Sequence, residues 1–357
     1  MTTTPKPRTL PPEAPEASDT GATSPRLGVI LVNYKRADDT IECLESLLRS
    51  TIPLRIIVVD NGSGDGSLDT IAAWAAGQHP VVSASPDMAP QGEPWPKPVD
   101  IIRLTAAQAA TTDPVGTLTL VDAGDNRGFA AGNNIGLRHL LRDRHIDHAW
   151  LLNNDTVVDA YAAAALLARL DATPGVGLCG TVVRFYWQPD IVQALNGHRF
   201  NVWTGMSKGI GARQPATRPF NPAKVAKETD FVLGASMGVS RRFIETIGLM
   251  DERYFLYFEE VDWAARNDGR FANAFAHGAI VYHKEGGSIG SSGVAGARSA
   301  MSDYWLTRSR LRFIRLHRPL LLPWHWLVTL AVAARRLLRL QPSKSAATIR
   351  ALFGIDY

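Results

Sequence analysis

Several short stretches of this chain set oxygen-bearing or imidazole side chains where chemistry can use them. Leu151-Leu152-Asn153-Asn154-Asp155 follows Trp150 and reads as the end of a buried strand running into three small polar residues. One carboxylate and two amides in a row suit a hard cation or a sugar hydroxyl. Mg²⁺ and Mn²⁺ prefer such oxygen ligands, and Mg²⁺ commonly takes one or two carboxylates plus phosphate oxygens. Some hundred residues further on, Phe255 to Arg266 carries Glu259, Glu260 and Asp262 between Phe258 and Trp263. A carboxyl partly buried among aromatic rings holds its proton to higher pH, so Glu260 can serve as a general base. His283 closes a short apolar run, and a neutral imidazole there can ligate Mn²⁺ as well as softer metals. Asp60 ends another apolar run and can accept a hydrogen bond from a base imide N–H, while Tyr34 can stack on that base. Each piece has a bland counterpart: a polar turn, a solvated helix face, a structural histidine.

The surrounding pattern supplies the elements that would position these residues. Leu27 to Val32 is continuously apolar, as a strand buried on both faces is, and it ends in Asn33-Tyr34-Lys35-Arg36. Asp38 and Asp39 open a helix to Leu48, and Arg55 to Val59 is a second strand, ending in Asp60-Asn61-Gly62-Ser63. This βαβ unit predicts a right-handed crossover and a parallel pair. A helix follows from Leu68 to Ala76. Residues 78–98 hold six prolines from Pro80 to Pro98 and read as a surface excursion. Further strands are expected at Leu118–Val121, Trp150–Leu152, Val176–Val183 and Ala279–Tyr282, with helices at Ala130–Leu141 and Tyr161–Leu170. Trp187 to Lys227 has no clear period. Gly234, Ala235, Ser236 and Gly238 mark backbone that must come close to something, and Glu285–Gly296, rich in Gly and Ser, reads as a mobile loop, either one that closes over a bound ligand or a plain linker.

Bulk composition narrows the class. The 357 residues are 45% hydrophobic and 20% charged, an ordinary globular balance with room for a sizeable core. The two cysteines, Cys43 and Cys179, lack metal spacing and point to a reducing compartment without a disulfide framework. The first 26 residues, rich in Thr, Pro, Ala and Glu, read as a disordered tail. The net charge of +4 is unevenly spread. Ten Lys or Arg and no Asp or Glu lie between Arg308 and Arg350, leaving 28 basic against 34 acidic residues elsewhere. Basicity is thus a C-terminal property, and no nucleic-acid footprint covers the fold. No G-x-G-x-x-G follows the first strand, and there is no P-loop and no G-x-S-x-G elbow.

Taken together, the ordered motifs resemble family 2 glycosyltransferases of the rhamnosyltransferase-like branch. They are Asn33-Tyr34, Val59-Asp60-Asn61-Gly62-Ser63, Asn126 to Asn134, Leu152-Asn153-Asn154-Asp155, Gly234 to Met237, Phe255 to Trp263, Val281-Tyr282-His283 and Tyr304 to Arg310. The resemblance runs from Leu27 to Arg318. It implies an α/β GT-A fold, a Rossmann-like nucleotide-sugar-binding mixed sheet flanked by helices, with a helical C-terminal extension. The expected organisation is a tail at 1–26, the GT-A domain at 27–300 with a Pro-rich insertion at 78–98, and a basic, apolar helical region at 301–357. The resemblance also implies inverting, Mg²⁺- or Mn²⁺-dependent transfer from a nucleoside diphosphate sugar to a glycan or lipid-linked acceptor. Asp155 matches the metal-binding aspartate and His283 the histidine that completes the site. Glu260 takes the base position where aspartate is commoner, which leaves Glu259 and Asp262 as alternates. Donor contacts are expected from Asn33, Tyr34, Arg36, Asp60 and Asn126, and also from Arg127, Gly128, Asn133 and Asn154.

Pro319 to Ala334 is apolar, carries Trp324 and Trp326, and is flanked by Arg315, Arg318, Arg335, Arg336 and Arg339. Its sixteen residues, interrupted by Pro323 and His325, fall short of the roughly 20 that span a bilayer. Tryptophan with arginine flanks is the mark of an interfacial helix, so residues 319–340 are expected to meet a membrane surface, with a core or dimer contact as the alternative. The main reading is a peripheral enzyme at the inner face of the cell membrane that builds envelope polysaccharide with a rhamnosyl or other hexosyl donor. A nucleotidyltransferase and a non-catalytic nucleotide-sugar-binding protein are the competing readings, and a homo-oligomer is compatible with any of them.

Overall fold

The computed structural model describes residues 24–85, 88, 94–285 and 299–357. The opening Thr- and Pro-rich tail up to residue 23 lies outside the described residues, as do 286–296 of the Gly- and Ser-rich stretch. Part of the Pro-rich insertion, residues 86–87 and 89–93, does so too.

The first half alternates strand and helix. In chain order it runs β1 (Leu27–Asn33), α1 (Ala37–Leu48), β2 (Leu54–Asp60), α2 (Ser67–Ala75), β3 (Ile101–Thr105), α3 (Ala106–Ala109), β4 (Leu118–Asp122), α4 (Phe129–Leu140) and β5 (His148–Asn153). Then come β6 (Thr156–Val158), α5 (Ala162–Asp171), β7 (Val176–Phe185), β8 (Gln188–Leu195), β9 (Gly197–Asn201), β10 (Met206–Gly209) and α6 (Pro222–Glu228). The last part holds β11 (Phe231–Val232), β12 (Ser236–Ser240), α7 (Arg241–Ile247), α8 (Glu259–Asn267), β13 (Ala272–His283), α9 (Ala300–His317), α10 (Leu322–Leu338) and α11 (Pro342–Phe353).

Nine strands lie in the order β3-β4-β2-β1-β5-β12-β7-β13-β6, and β8 pairs with β7. The run from β3 to β5 is parallel, as the βαβ pattern requires. Strand β12 then enters antiparallel between β5 and β7. A small antiparallel sheet, β10-β9-β11, stands apart. The large sheet carries apolar residues on both faces. Ile41, Leu44 and Leu47 of α1 and Trp74 of α2 cover one face, while Leu137 and Leu140 of α4 and Phe243 of α7 cover the other. All are at most 1% exposed.

Two features depart from the sequence expectation. The half-exposed β3 and the segment from β8 to α6 are regular where no period is legible. The Pro-rich stretch is pinned to α1 by buried acids. Glu45 accepts from Trp74 Nε1 of α2, from Trp95 N and from Lys97 Nζ, so the far end of the excursion closes on a carboxylate it shares with α2.

Candidate active site

Parallel strands deliver their carboxyl ends to one edge, where ligands of open α/β sheets bind. Asn153 ends β5, and the chain turns at Asn154-Asp155 into β6, which pairs antiparallel with the end of β13 so that Thr156 faces His283. That crossing brings Asp155 and His283 together from 128 positions apart in the sequence. Asp155 Oδ1 is 3.1 Å from His283 Nε2, and both side chains are nine-tenths buried. The other imidazole nitrogen, Nδ1, donates to Gln193 Oε1 of β8 at 2.9 Å, which turns Nε2 toward Asp155. Asn153 Nδ2 stands 3.3 Å from the same Nε2. Burial opposes the charged form of Asp155, but the adjacent His283 outweighs it and holds the carboxyl below its usual range. Burial likewise opposes the imidazolium, and Asp155 overcomes it to raise the histidine.

The pair fits a Mg²⁺ or Mn²⁺ ion in donor chemistry: one hard oxygen and one imidazole nitrogen whose tautomer a neighbour fixes. Among the described residues no three His, Cys, Asp or Glu gather into a complete metal site. Mg²⁺ rarely has an all-protein cage and keeps positions for water and substrate phosphate, so two ligands suffice.

Next to the pair lies a framework of amides. Asn33 Nδ2 donates to Asp60 Oδ1 at 2.6 Å, and Asn33 Oδ1 accepts from Thr40 Oγ1 at 2.9 Å. Asn154 Nδ2 donates to Thr40 Oγ1 at 2.9 Å and to Asn33 Oδ1 at 3.3 Å. The side chains of Asn33 and Asn154 therefore tie β1, α1 and the Asp155 turn into one unit. Asp60 is 4% exposed and also accepts from Ser63 N and Ser63 Oγ, which fixes its carboxylate at the edge. Tyr34 and Arg36 stand at the rim, with Lys35 Nζ 5.2 Å from the Tyr34 ring centre and Arg36 3.5 Å from Asp39. Beyond Asp60, a cavity of about 190 Å³ opens between the ends of β3 and β4, lined by Arg103, Thr105, Gln108 and Asp122. It lies on the Asp60 side of the edge, away from the Asp155–His283 pair.

The Asn126–Asn134 stretch wraps the same edge. Asn126 Oδ1 accepts from Gly128 N and from Asn61 Nδ2, both at 3.0 Å. Gly128 has φ +94°, and a Cβ there would stand 2.3 Å from Phe255 O, so only glycine lets Phe129 N bond that carbonyl. Arg127 is 61% exposed and 3.7 Å from Glu252. Asn133 is buried and donates to Phe129 O within its own helix, so its side chain serves the first turn of α4.

The acidic cluster is sorted by its surroundings. Asp262 is 1% exposed and engaged by Arg266 Nε at 2.7 Å and His317 Nε2 at 2.8 Å, so it locks α8 to the end of α9. Glu259 is 2% exposed, and burial plus repulsion from Glu260 pushes its carboxyl well above the usual range. Glu260 is half-buried, and among the described residues no side chain bonds its carboxylate. Burial pushes it up to about 7, where a general base works best. Its Oε1 lies against Gly234, whose missing Cβ would stand 1.8 Å away. Ala235, the next residue, accepts from Asn153 N at 3.0 Å, so Glu260 is brought to the end of β5 through β12's entry.

Several contributors carry no sequence signal strong enough to find them. Gln193 is a lone amide in an irregular stretch. Lys284 holds Asp39 and Glu42 at 2.5 Å each, joining β13 to α1 directly behind His283. His317 and Trp305 belong to α9, where Trp305 stacks on Phe255 with ring centres 4.5 Å apart. Trp305 and Asn61 do sit inside stretches already singled out, and the Asn61 amide bridges to Asn126 and Gly128 O.

Residues 28–83 match the family model for glycosyl transferase family 2. A low-salt glycan biosynthesis hexosyltransferase, Agl10, of Haloferax volcanii is 24% identical over 151 residues, 41% of this chain. The match covers 45% of the length of that relative. The structure of GalNAc-T7 with UDP, GalNAc and Mn²⁺ covers 81% of this chain and 47% of its own, at 13% identity and a TM-score of 0.50, a likeness of fold. Mannosyltransferase PcManGT from Pyrobaculum calidifontis, in complex with GDP-Man and Mn²⁺, covers 95% of this chain and 90% of its own at 16% identity and a TM-score of 0.49. With the matched segment, the ordered motifs and the mixed sheet all in place, the chain is similar to glycosyl transferase family 2, and its fold is GT-A.

Proposed function

We propose that this protein transfers a sugar, with inversion, from a nucleoside diphosphate donor to a hydroxyl of a glycan or lipid-linked acceptor. The observation that carries the reading is the Asp155–His283 pair at 3.1 Å with its tautomer set by Gln193, on the edge that also holds Asp60 and Glu260. Asp60 accepts from the base imide, Tyr34 stacks on the base, and Asn126, Arg127 and Gly128 border the donor. Asp155 and His283 would hold Mg²⁺ or Mn²⁺, which when bound would offset the charge developing on the diphosphate leaving group. Glu260 takes the acceptor proton as the hydroxyl attacks the anomeric carbon. Its raised proton affinity matches that role near neutral pH. The C1–O bond to the diphosphate breaks as the new one forms, so no covalent enzyme intermediate is needed.

The donor we propose is a hexosyl nucleotide, rhamnosyl in the reading the motifs favour, used in envelope polysaccharide synthesis from the cytoplasmic side of a membrane. No helix among the described residues is long and apolar enough to cross a bilayer. The test is calorimetric titration of a nucleotide-sugar panel with and without Mn²⁺ on wild type and Asp155→Ala. Mn²⁺-dependent binding that weakens at least tenfold in the variant is the expected result. Equal affinity in both proteins would sink the metal-site assignment, and a nucleoside triphosphate bound in preference to every nucleotide sugar would favour a nucleotidyltransferase.

A further inference from the structure

Helix α10 buries only a narrow stripe. His325, Thr329 and Ala333 recur every fourth residue and are at most 3% exposed. They face α9 and α11, with Arg310 donating to Thr329 Oγ1 and Ser345 Oγ donating to Ala333 O. At about 100° per residue, Leu327, Ala331, Ala334 and Leu338 fall on the opposite side. There the helix is apolar and uncovered: Trp324 is 48%, Leu327 60% and Leu338 86% exposed. The face continues past the helix. Trp324 Nε1 donates to Trp203 O and His325 Nε2 to Val202 O, which seats the turn between β9 and β10 beside the start of α10. Trp203 of that turn and Met206 at the start of β10 are themselves 60% and 69% exposed.

We infer that this two-part face, α10 with the β9–β10 turn, rests on a bilayer surface bearing anionic headgroups. The inference rests on the glycosyl-transfer reading for its purpose and deepens it by naming the surface and the partner. Charge decides the occupant. No Asp or Glu lies between Arg308 and Arg350, while ten Lys or Arg do. Arg336 is committed inward to the buried Asp303, but Arg335 and Arg339 are exposed at the end of the apolar face. A second copy seated on this helix would bring those arginines no acid from the same segment to answer them. Anionic headgroups answer them, and the apolar face enters the acyl boundary. The 17-residue helix is about 25 Å long and interrupted in composition, so it lies on a membrane and does not span it.

The surface is mechanically joined to the proposed base. Helix α10 packs on α9, and α9 holds the Glu260 segment through His317 to Asp262 and Ser309 Oγ to Leu256 O. A lipid-linked acceptor would thus meet the site from the side the membrane occupies.

Flotation of the full-length protein with phosphatidylcholine vesicles, alone and with phosphatidylglycerol, tests this. Wild type should float with the anionic vesicles and release at high salt. The triple variant L327S, L330S, L338S should lose roughly a hundredfold in vesicle partition, from apolar burial alone. R335Q with R339Q should lose roughly tenfold, on anionic vesicles only. These side chains are exposed, so circular dichroism should be unchanged; truncation would instead bare Tyr304, which α11 covers. Wild type that stays down with anionic vesicles, or a triple variant that floats as wild type does, overturns the inference. So does a wild-type dimer that the triple variant converts to monomer while neither floats. Donor titration on the same proteins separates the two readings. Lost flotation with intact donor binding strikes the surface alone, and absent donor binding with intact flotation strikes the transferase reading alone.

Discussion

A carboxyl group that keeps its proton to about pH 7 leaves two separate marks, one on stability and one on rate. Folded Glu260 binds its proton more tightly than the unfolded chain does, so folding stability is highest below the usual carboxylate range. It falls as pH rises from about 4.5 toward 7. Glu260→Gln removes that slope: its melting temperature should change less between pH 5 and pH 7 than the wild type's does. An unchanged slope would mean the raised affinity belongs to Glu259, which is buried and repelled by the same neighbour. At the other end of the site, Gln193 fixes which imidazole nitrogen of His283 is free. Gln193→Leu should weaken Mn²⁺ binding by about 10–100-fold, read by calorimetry or by the spectrum of the free ion, while melting stays near wild type. Full Mn²⁺ affinity in that variant would remove Gln193 from the site. The difference between these residues is also one of legibility. Asp155 and His283 stand out because a polar type follows an apolar run, a signal local to five residues. Gln193 acts only through a contact with a residue 90 positions away, and nothing near it in the chain announces that.

Elements decide which acid of the cluster is free to react. Helix α8 begins at Glu259 after Tyr257 and Phe258, both at positive φ, and Asp262 inside it is clamped by Arg266 and by His317 of α9. Asp262→Ala leaves Arg266 and His317 without their buried carboxylate partner and should cost ~3 kcal/mol or more of stability, measured by urea unfolding. A loss below about 1 kcal/mol would mean the clamp is solvated and Asp262 is free for chemistry. Gly234→Ala belongs to the same scale. Its methyl would press on Glu260 Oε1, so transfer should fall while donor affinity holds, and equal loss of both would show a general collapse of β12. The strands that carry the site were readable because β1, β2, β5 and β7 are long apolar runs between turn signals. Strand β3 was not, since it is short, half-exposed and closed by a capping box at Thr105 and Gln108 that no apolar period marks. Strand β13 was legible only over Ala279–Tyr282, because its first half is small and polar and breaks register between Ala276 and Ile280.

At the scale of the molecule, the parallel half of the sheet sets Asn33 and Asp60 at one edge, the side we propose for the nucleotide. The antiparallel β12 and the β13–β6 crossing close the other side on Glu260 and His283. Order along the chain could reveal that acids sit at strand ends, but not that β6 turns back to set Asp155 on His283, since that pairing is made by the sheet. The C-terminal part of the chain reaches the same segment from outside: Phe313 and Ile314 of α9 share a core with Phe258 and Val261 at the start of α8. Transfer by Glu260→Gln, followed beside donor and Mn²⁺ binding on one preparation, tests the whole arrangement most directly. A drop of ~10²–10⁴-fold in transfer rate is expected, with both affinities nearly unchanged and the rise in rate through about pH 7 abolished. Retention of most of the activity with an unaltered pH profile would contradict Glu260 as the base and, with it, the assignment of this edge of the sheet to sugar transfer.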